Sequence, residues 1–327
     1  MRIKSTAKKI GYLLKETYNG FIDDNGIKLS AALSYYTVFS LPPLLIIIMS
    51  LSGIFFGADA VRGEIFGQIN SLVGSDAALQ IQETIKKVEL SNGSTFAQTI
   101  GIIILLIGAT GVFAEIQDSI NYIWKLKAKP KKGKGFLKMV INRLLSFSLV
   151  VSLGFLLLVS LLINGVMDAL ITRLTSMFPE LTVVLVYALN LVLTFGITTL
   201  LFAMIFKVLP DARIQWRHVR AGAFTTAILF MAGKFLIGYY LGHSKLSSTY
   251  GAAGSVIVML LWVYYSAMIL YFGAVFTHVY AVHTGSMIYP SNYAVWVQQI
   301  EVESKESIQQ QPEEKAVIKT PDAPTAL

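Results

Sequence analysis

The chain has 327 residues, of which 54% are apolar and only 14% charged, and it contains no cysteine. Those proportions exclude an ordinary soluble domain, and the missing cysteines exclude disulfides and thiolate-held metals or clusters. A net charge of +8 would suit a nucleic-acid binder, but no basic run is interleaved with the aromatic platform such binding uses.

Residues 1–29 place Ile3, Ala7, Ile10, Leu14 and Phe21 near one helical stripe flanked by lysines. That is the pattern of a cytoplasmic interfacial leader helix, with a solvated leader as the alternative. Six apolar runs then follow, each long enough to cross a hydrocarbon layer of roughly 30 Å. They cover 30–57, 96–114, 141–167, 181–206, 219–242 and 252–281. None has the ten-residue alternation of a barrel strand, so the expected fold is all-α, a polytopic membrane protein with six transmembrane helices.

The first run is preceded by about thirty residues and followed by no small-x-small cleavage pattern, so it reads as an anchor rather than a signal sequence. Its stretch "LSYYTVFSLPPLLIIIM" carries Pro42 and Pro43 mid-span. Each lacks an N–H, so the carbonyls of Val38 and Phe39 lose their helical partners, and a kink or local break is expected. Donors would come from Ser40 or Thr37, or from Tyr264 or Tyr265 if the sixth span packs beside the first. Pro42, Pro43, Tyr35 and Tyr36 form a candidate hinge, and a purely structural kink fits equally well.

The outer connection 58–95 repeats an amphipathic stripe at Val61, Ile65, Ile69, Leu72 and Val73, ended by Gly74, and Ser75-Asp76 resembles the cap of a second helix. After the second span, Phe113, Ile116, Ile120 and Ile123 keep a helical stripe, so that helix is expected to pass the membrane surface, with Trp124 as an interfacial aromatic. The lysine-rich run "WKLKAKPKKGKGFLK" follows.

Between spans four and five, "KVLPDARIQWRHVR" gathers Lys207, Arg213, Arg217 and Arg220 around Pro210 and Asp211. Pairing of Asp211 with Arg213 or Arg217 would fix this turn. In span five, Lys234 either snorkels to the surface or lines an internal cavity. The connection "GHSKLSSTYGAAGSV" brings His243, Lys245, Gly251, Gly254 and Ser255 to the start of span six. Its backbone N–H groups and helix dipole would suit an anionic head group, whereas tight helix packing is the commoner use of such glycines. Residues 282–327 form a tail that is Glu-, Gln- and Pro-rich and expected to be disordered from about 302.

Cations alternate rich and poor from one connection to the next, starting with Arg2, Lys4, Lys8, Lys9, Lys15 and Lys28 before span one. The positive-inside rule therefore puts both termini in the cytoplasm, and anionic lipids of that leaflet are the expected partners. No nucleophile–base pair, P-loop or G-x-S-x-G is present, and the four histidines are divided between the two faces, so neither a catalytic residue, a metal site nor a cofactor is expected.

The segment "AALSYYTVFSLPPLL", the turn "KVLPDARIQWRHVRAGA", and "STYGAAGSV" with "LLWVYYSAMILYFGAVF" resemble the YihY/virulence-factor BrkB family of bacterial membrane proteins. The family-like residues are Tyr35, Tyr36, Pro43, Pro210, Trp216, Arg217, Gly222, Tyr250, Gly251 and Trp262. The resemblance implies six helices in a bacterial inner membrane and links to envelope properties and amphiphile export, without an agreed activity. An old ribonuclease BN label finds no metal-binding cluster here to support it. The leading reading is transport or handling of a lipid or other anionic amphiphile. The alternative is a non-transporting scaffold for envelope partners, and a ribonuclease is the remote third.

Overall fold

The computed structural model describes residues 2–56, 111–129, 179–243, 254–291 and 294–297, with isolated helical positions between 63 and 82. The third expected span, most of the second and of the outer connection, Lys245, Gly251 and the tail from 298 lie outside the described residues. Within them, helices run over Arg2–Asp23 (α1), Gly26–Phe56 (α2), 111–123 (α3), Pro179–Val208 (α4), Trp216–His243 (α5) and Gly254–His283 (α6).

The helices α2, α4, α5 and α6 coincide with the first, fourth, fifth and sixth expected spans. Among the described residues, three windows are long and apolar enough to cross a membrane: Leu191–Val208, Trp216–Ile237 and Val256–His283. With 30 residues, α6 is about 45 Å long, more than a hydrocarbon layer requires. It is apolar on all sides, as a helix surrounded by protein and lipid should be.

Packing centres on α6, which contacts α5, α2 and α1, while α4 packs on α5. The α5–α6 contact is a reciprocal interlock of small residues. A Cβ on Gly222 would stand 1.8 Å from Thr277 Oγ1, and one on Gly273 would stand 1.9 Å from Thr226 Oγ1. Thr226 donates to the carbonyl of Gly222 and Thr277 to that of Gly273, each at 2.7 Å. Each hydroxyl is thus satisfied on its own helix, so the two backbones can approach without burying an orphan polar group.

Along α6, Tyr12 meets His283, Gly20 meets Val275 and Phe21 meets Phe272. The numbers run in opposite senses, so α1 lies antiparallel beside the last turns of α6. Leu13, Thr17 and Phe21 are buried there, and an adjacent stripe of Ile10, Leu14, Tyr18 and Ile22 is exposed. Of the expected leader stripe, Phe21 therefore faces protein, while Ile10 and Leu14 do not. Asn25, with φ of 54°, separates α1 from α2 in the left-handed conformation that asparagine tolerates.

The helix α2 runs unbroken through Pro42 and Pro43. A local break does not form, because proline's fixed φ is already helical and only single bonds are lost from a long ladder. Two of the expected donors are engaged elsewhere. Thr37 donates to Leu33 O at 2.7 Å, and the Tyr265 hydroxyl lies against Gly233 of α5. The sixth span does pack beside the first, as α6 against α2.

Among the described residues, four short strands qualify the all-α expectation: Leu126–Ala128 (β1), Ala212–Arg213 (β2), Tyr289–Pro290 (β3) and Ala294–Trp296 (β4). Antiparallel pairs join β1 to β4 and β2 to β3, with Lys127 opposite Val295 and Arg213 opposite Tyr289. Strands this short carry no periodicity to read, and their partners are remote in sequence. Trp124 is also not interfacial. It is 1% exposed, and its indole Nε1–H donates to Ala274 O of α6 at 2.9 Å.

Candidate functional site: a polar knot at the basic end of the bundle

Polar side chains among the described residues gather where α3 ends, where α4 turns into α5 and where α6 ends. The stripe Phe113, Ile116, Ile120 and Ile123 seats α3 in the core, all four buried. Helical spacing then puts Gln117 and Asn121, four residues apart, on one face beside it. Both are buried, and both reach Asp211 in the α4–α5 turn.

Gln117 Nε2–H donates to Asp211 Oδ1 at 3.1 Å, and Asn121 Nδ2–H donates to Asp211 Oδ2 at 3.2 Å. The backbone N–H of Asp211 donates to Asn121 Oδ1 at 2.8 Å, so Asn121 grips the turn through both ends of its amide. The carbonyl of Asp211 accepts from Ser291 N at 2.9 Å. One residue, 2% exposed, thereby ties α3, the α4–α5 turn and the segment after α6. A buried carboxylate needs such donors, since burial without them is costly.

Two further ties flank this centre. Lys125 forms an ion pair with Asp24, and its ammonium lies 5.3 Å from the Tyr122 ring. The Lys125 backbone is left-handed, with φ of 56°, where α3 stops and the chain turns into β1. His218 Nε2 and Thr284 Oγ1 are 3.1 Å apart, joining the start of α5 to the end of α6. Because Thr284 also donates to Tyr280 O at 2.9 Å, its oxygen is left to accept from an Nε2–H imidazole.

Beside the knot, Glu115 lies just past the expected second span. Burial, and then the charge of Asp118, push its carboxyl above the usual carboxylate range, while the Ser119 hydroxyl draws it back. The Tyr271 hydroxyl of α6 is fully buried with no hydrogen-bond partner among the described residues. No group of three or more histidines and carboxylates suited to a metal ion occurs among the described residues. What the described side chains form at this end is an amide–carboxylate clamp.

The residues singled out from sequence do not converge on one place. Pro210 and Asp211 are buried in the knot, while Arg213 and Arg217 are exposed at its rim. Tyr35 and Tyr36 are exposed on α2, where Tyr35 stacks on Phe39 at 4.9 Å between centroids. Lys234 is half-buried on α5, and Phe235, Leu236, Tyr239 and Tyr240, which follow it in the chain, are exposed. His243 ends α5, and a buried Gly254 followed by Ser255 begins α6. The sequence reading missed Gln117 and Asn121, whose i, i+4 spacing beside an apolar stripe was the available signal.

Long apolar helices with a buried polar clamp at one end define a helical membrane protein. The profile of the family described as Virulence factor BrkB matches residues 17–288, and the chain belongs to that family. It is 29% identical over 265 residues to a UPF0761 membrane protein of Pseudomonas paraeruginosa, covering 78% of this chain and 59% of that relative. A UPF0761 membrane protein of Pseudoalteromonas atlantica is 25% identical over 257 residues, covering 78% of this chain and 81% of the relative. One from Alteromonas mediterranea is 25% identical over 283 residues, with coverage of 84% and 91%. The chain thus spans about three fifths of the length of the Pseudomonas relatives it matches. No solved structure matches it.

Proposed function

We propose that this protein transports or otherwise handles a lipid or another anionic amphiphile in a bacterial cytoplasmic membrane, in the service of envelope maintenance. In this reading both termini and the basic end face the cytoplasm. The polar knot is the fixed base of the bundle, and the working surface lies toward the opposite end of α5.

The observation that carries the reading is Lys234. It lies within the apolar window Trp216–Ile237 and is only half-buried, and the exposed Phe235, Leu236, Tyr239 and Tyr240 follow it on other faces of the same helix. A cation placed among hydrocarbon is unfavourable unless an anion, water or the head-group layer meets it. An anionic amphiphile would meet the ammonium with its head group while its acyl chains stay against the apolar side chains of the span.

The test is a transbilayer flux assay in reconstituted vesicles, comparing wild type with Lys234→Leu and Lys234→Arg at equal incorporation. The proposal expects movement of a fluorescent phosphatidylglycerol to fall at least tenfold in the leucine variant and to persist in the arginine variant. Equal movement in all three would remove Lys234 from the mechanism.

A further inference from the structure

The segment after α6 turns back across the basic end as a strap, and it is held rigidly. Ile288 is buried, Ser291 N is bonded to Asp211 O, β3 pairs with β2, and β4 pairs with β1. Its outward side is nevertheless apolar: Met287 is 67% exposed, Tyr289 54%, Trp296 52% and Val295 38%. The Trp296 indole N–H, its one polar atom, points inward to Ile288 O at 3.1 Å. What Trp296 presents outward is therefore hydrocarbon, with Tyr289 packed 5.7 Å from it between centroids.

Cations are matched to this surface by strand register. Lys127 lies opposite Val295 and Arg213 opposite Tyr289, and all four side chains are exposed. Residues directly opposite in an antiparallel pair share a face, so Val295 and Tyr289 each have a cation beside them, while Trp296 lies opposite the buried Leu126. The strap also begins where the apolar layer stops. The apolar window of α6 ends at His283, β1 follows the end of α3, and β2 lies between α4 and α5. Aromatic rings beside cations at that level suit a head-group layer, apolar inside and anionic outside.

We propose that the described part of the strap, residues 287–291 and 294–296, is a membrane-contact surface that seats in the head-group layer of an anionic leaflet. The inference rests on the chain being a membrane protein and not on the transport reading, so the two can fail separately. RNA or a protein partner would use the same cations differently, and the test separates them.

Because the chain has no cysteine, a single Val295→Cys variant of the full-length protein can be labelled with bimane. It would be placed in nanodiscs of phosphatidylcholine with or without phosphatidylglycerol, each carrying a trace of lipid with a nitroxide head group. Leu236→Cys, at an exposed position of α5, is the reference label. The expected result is quenching at Val295→Cys at least half that of the reference in anionic discs. It should fall several-fold in neutral discs and in a Lys127→Glu, Arg213→Glu background, while the reference label in that background stays quenched. Strong quenching by aqueous iodide, with none from the nitroxide lipid in either disc, would overturn the proposal. So would an RNA oligonucleotide or a purified partner protein that shields the label from iodide when anionic lipid does not.

Discussion

Replacing Asp211 by alanine removes the acceptor of two buried amides, Gln117 Nε2–H at 3.1 Å and Asn121 Nδ2–H at 3.2 Å. Each donor left unsatisfied in a buried site costs about 1–3 kcal/mol, so the pair implies about 2–6 kcal/mol. Asparagine at the same position is instructive because the two amides differ in freedom. Asn121 is committed at both ends, since its Oδ1 accepts from the Asp211 backbone N–H. Gln117 is described with one bond to the carboxylate and can turn its amide over to accept from the new Nδ2–H. Asp211→Asn should therefore lose about half as much as Asp211→Ala. At roughly 1.5–2 °C per kcal/mol for a chain of this size, the alanine variant should melt roughly 3–12 °C below wild type. Intrinsic tryptophan fluorescence during heating in nanodiscs reads the shift, with Trp124 buried beside the site as reporter. An alanine variant within 1 °C of wild type would refute the reasoning, as would an asparagine variant that melts lower than alanine.

Two other perturbations follow from the packing and the charges. Gly222→Ala drives a Cβ to 1.8 Å from Thr277 Oγ1 and should destabilise by about 1–3 kcal/mol, with Thr277→Ala restoring part of the loss in a double-mutant cycle. The Glu115 carboxyl is raised by burial and by Asp118, so the folded chain holds that proton more tightly than the unfolded chain. Its contribution is greatest at acid pH and is lost as pH rises through the raised value, so Glu115→Gln should flatten the decline in melting temperature toward neutral pH.

The fourth, fifth and sixth spans were legible because apolar runs of helical length leave few alternatives in water or lipid. The α5 and α6 helices end within three residues of their expected bounds at 219–242 and 252–281. The stripe from Phe113 to Ile123 was legible for the same periodic reason, and all four of its members are buried.

The polar knot was not legible in the same way. Its bonds join residues some ninety positions apart, and an amide at i and i+4 has no period of its own against a polar background. Trp124 shows the same limit: an aromatic at a helix end beside lysines reads as interfacial, until the long-range bond to Ala274 O draws it inside. Pro42 and Pro43 mark the opposite case, where a strong local signal for a break is overridden by the helix on either side.

One buried residue, Asp211, couples three distant segments. Hydrogen-exchange mass spectrometry of wild type and Asp211→Asn, both in nanodiscs, measures that coupling segment by segment. Residues 117–124, 209–219 and 288–291 should lose protection together in the variant, while the α5–α6 interlock around Gly222 and Gly273 keeps its own. Loss confined to 209–214, with α3 and the strap unchanged, would contradict it.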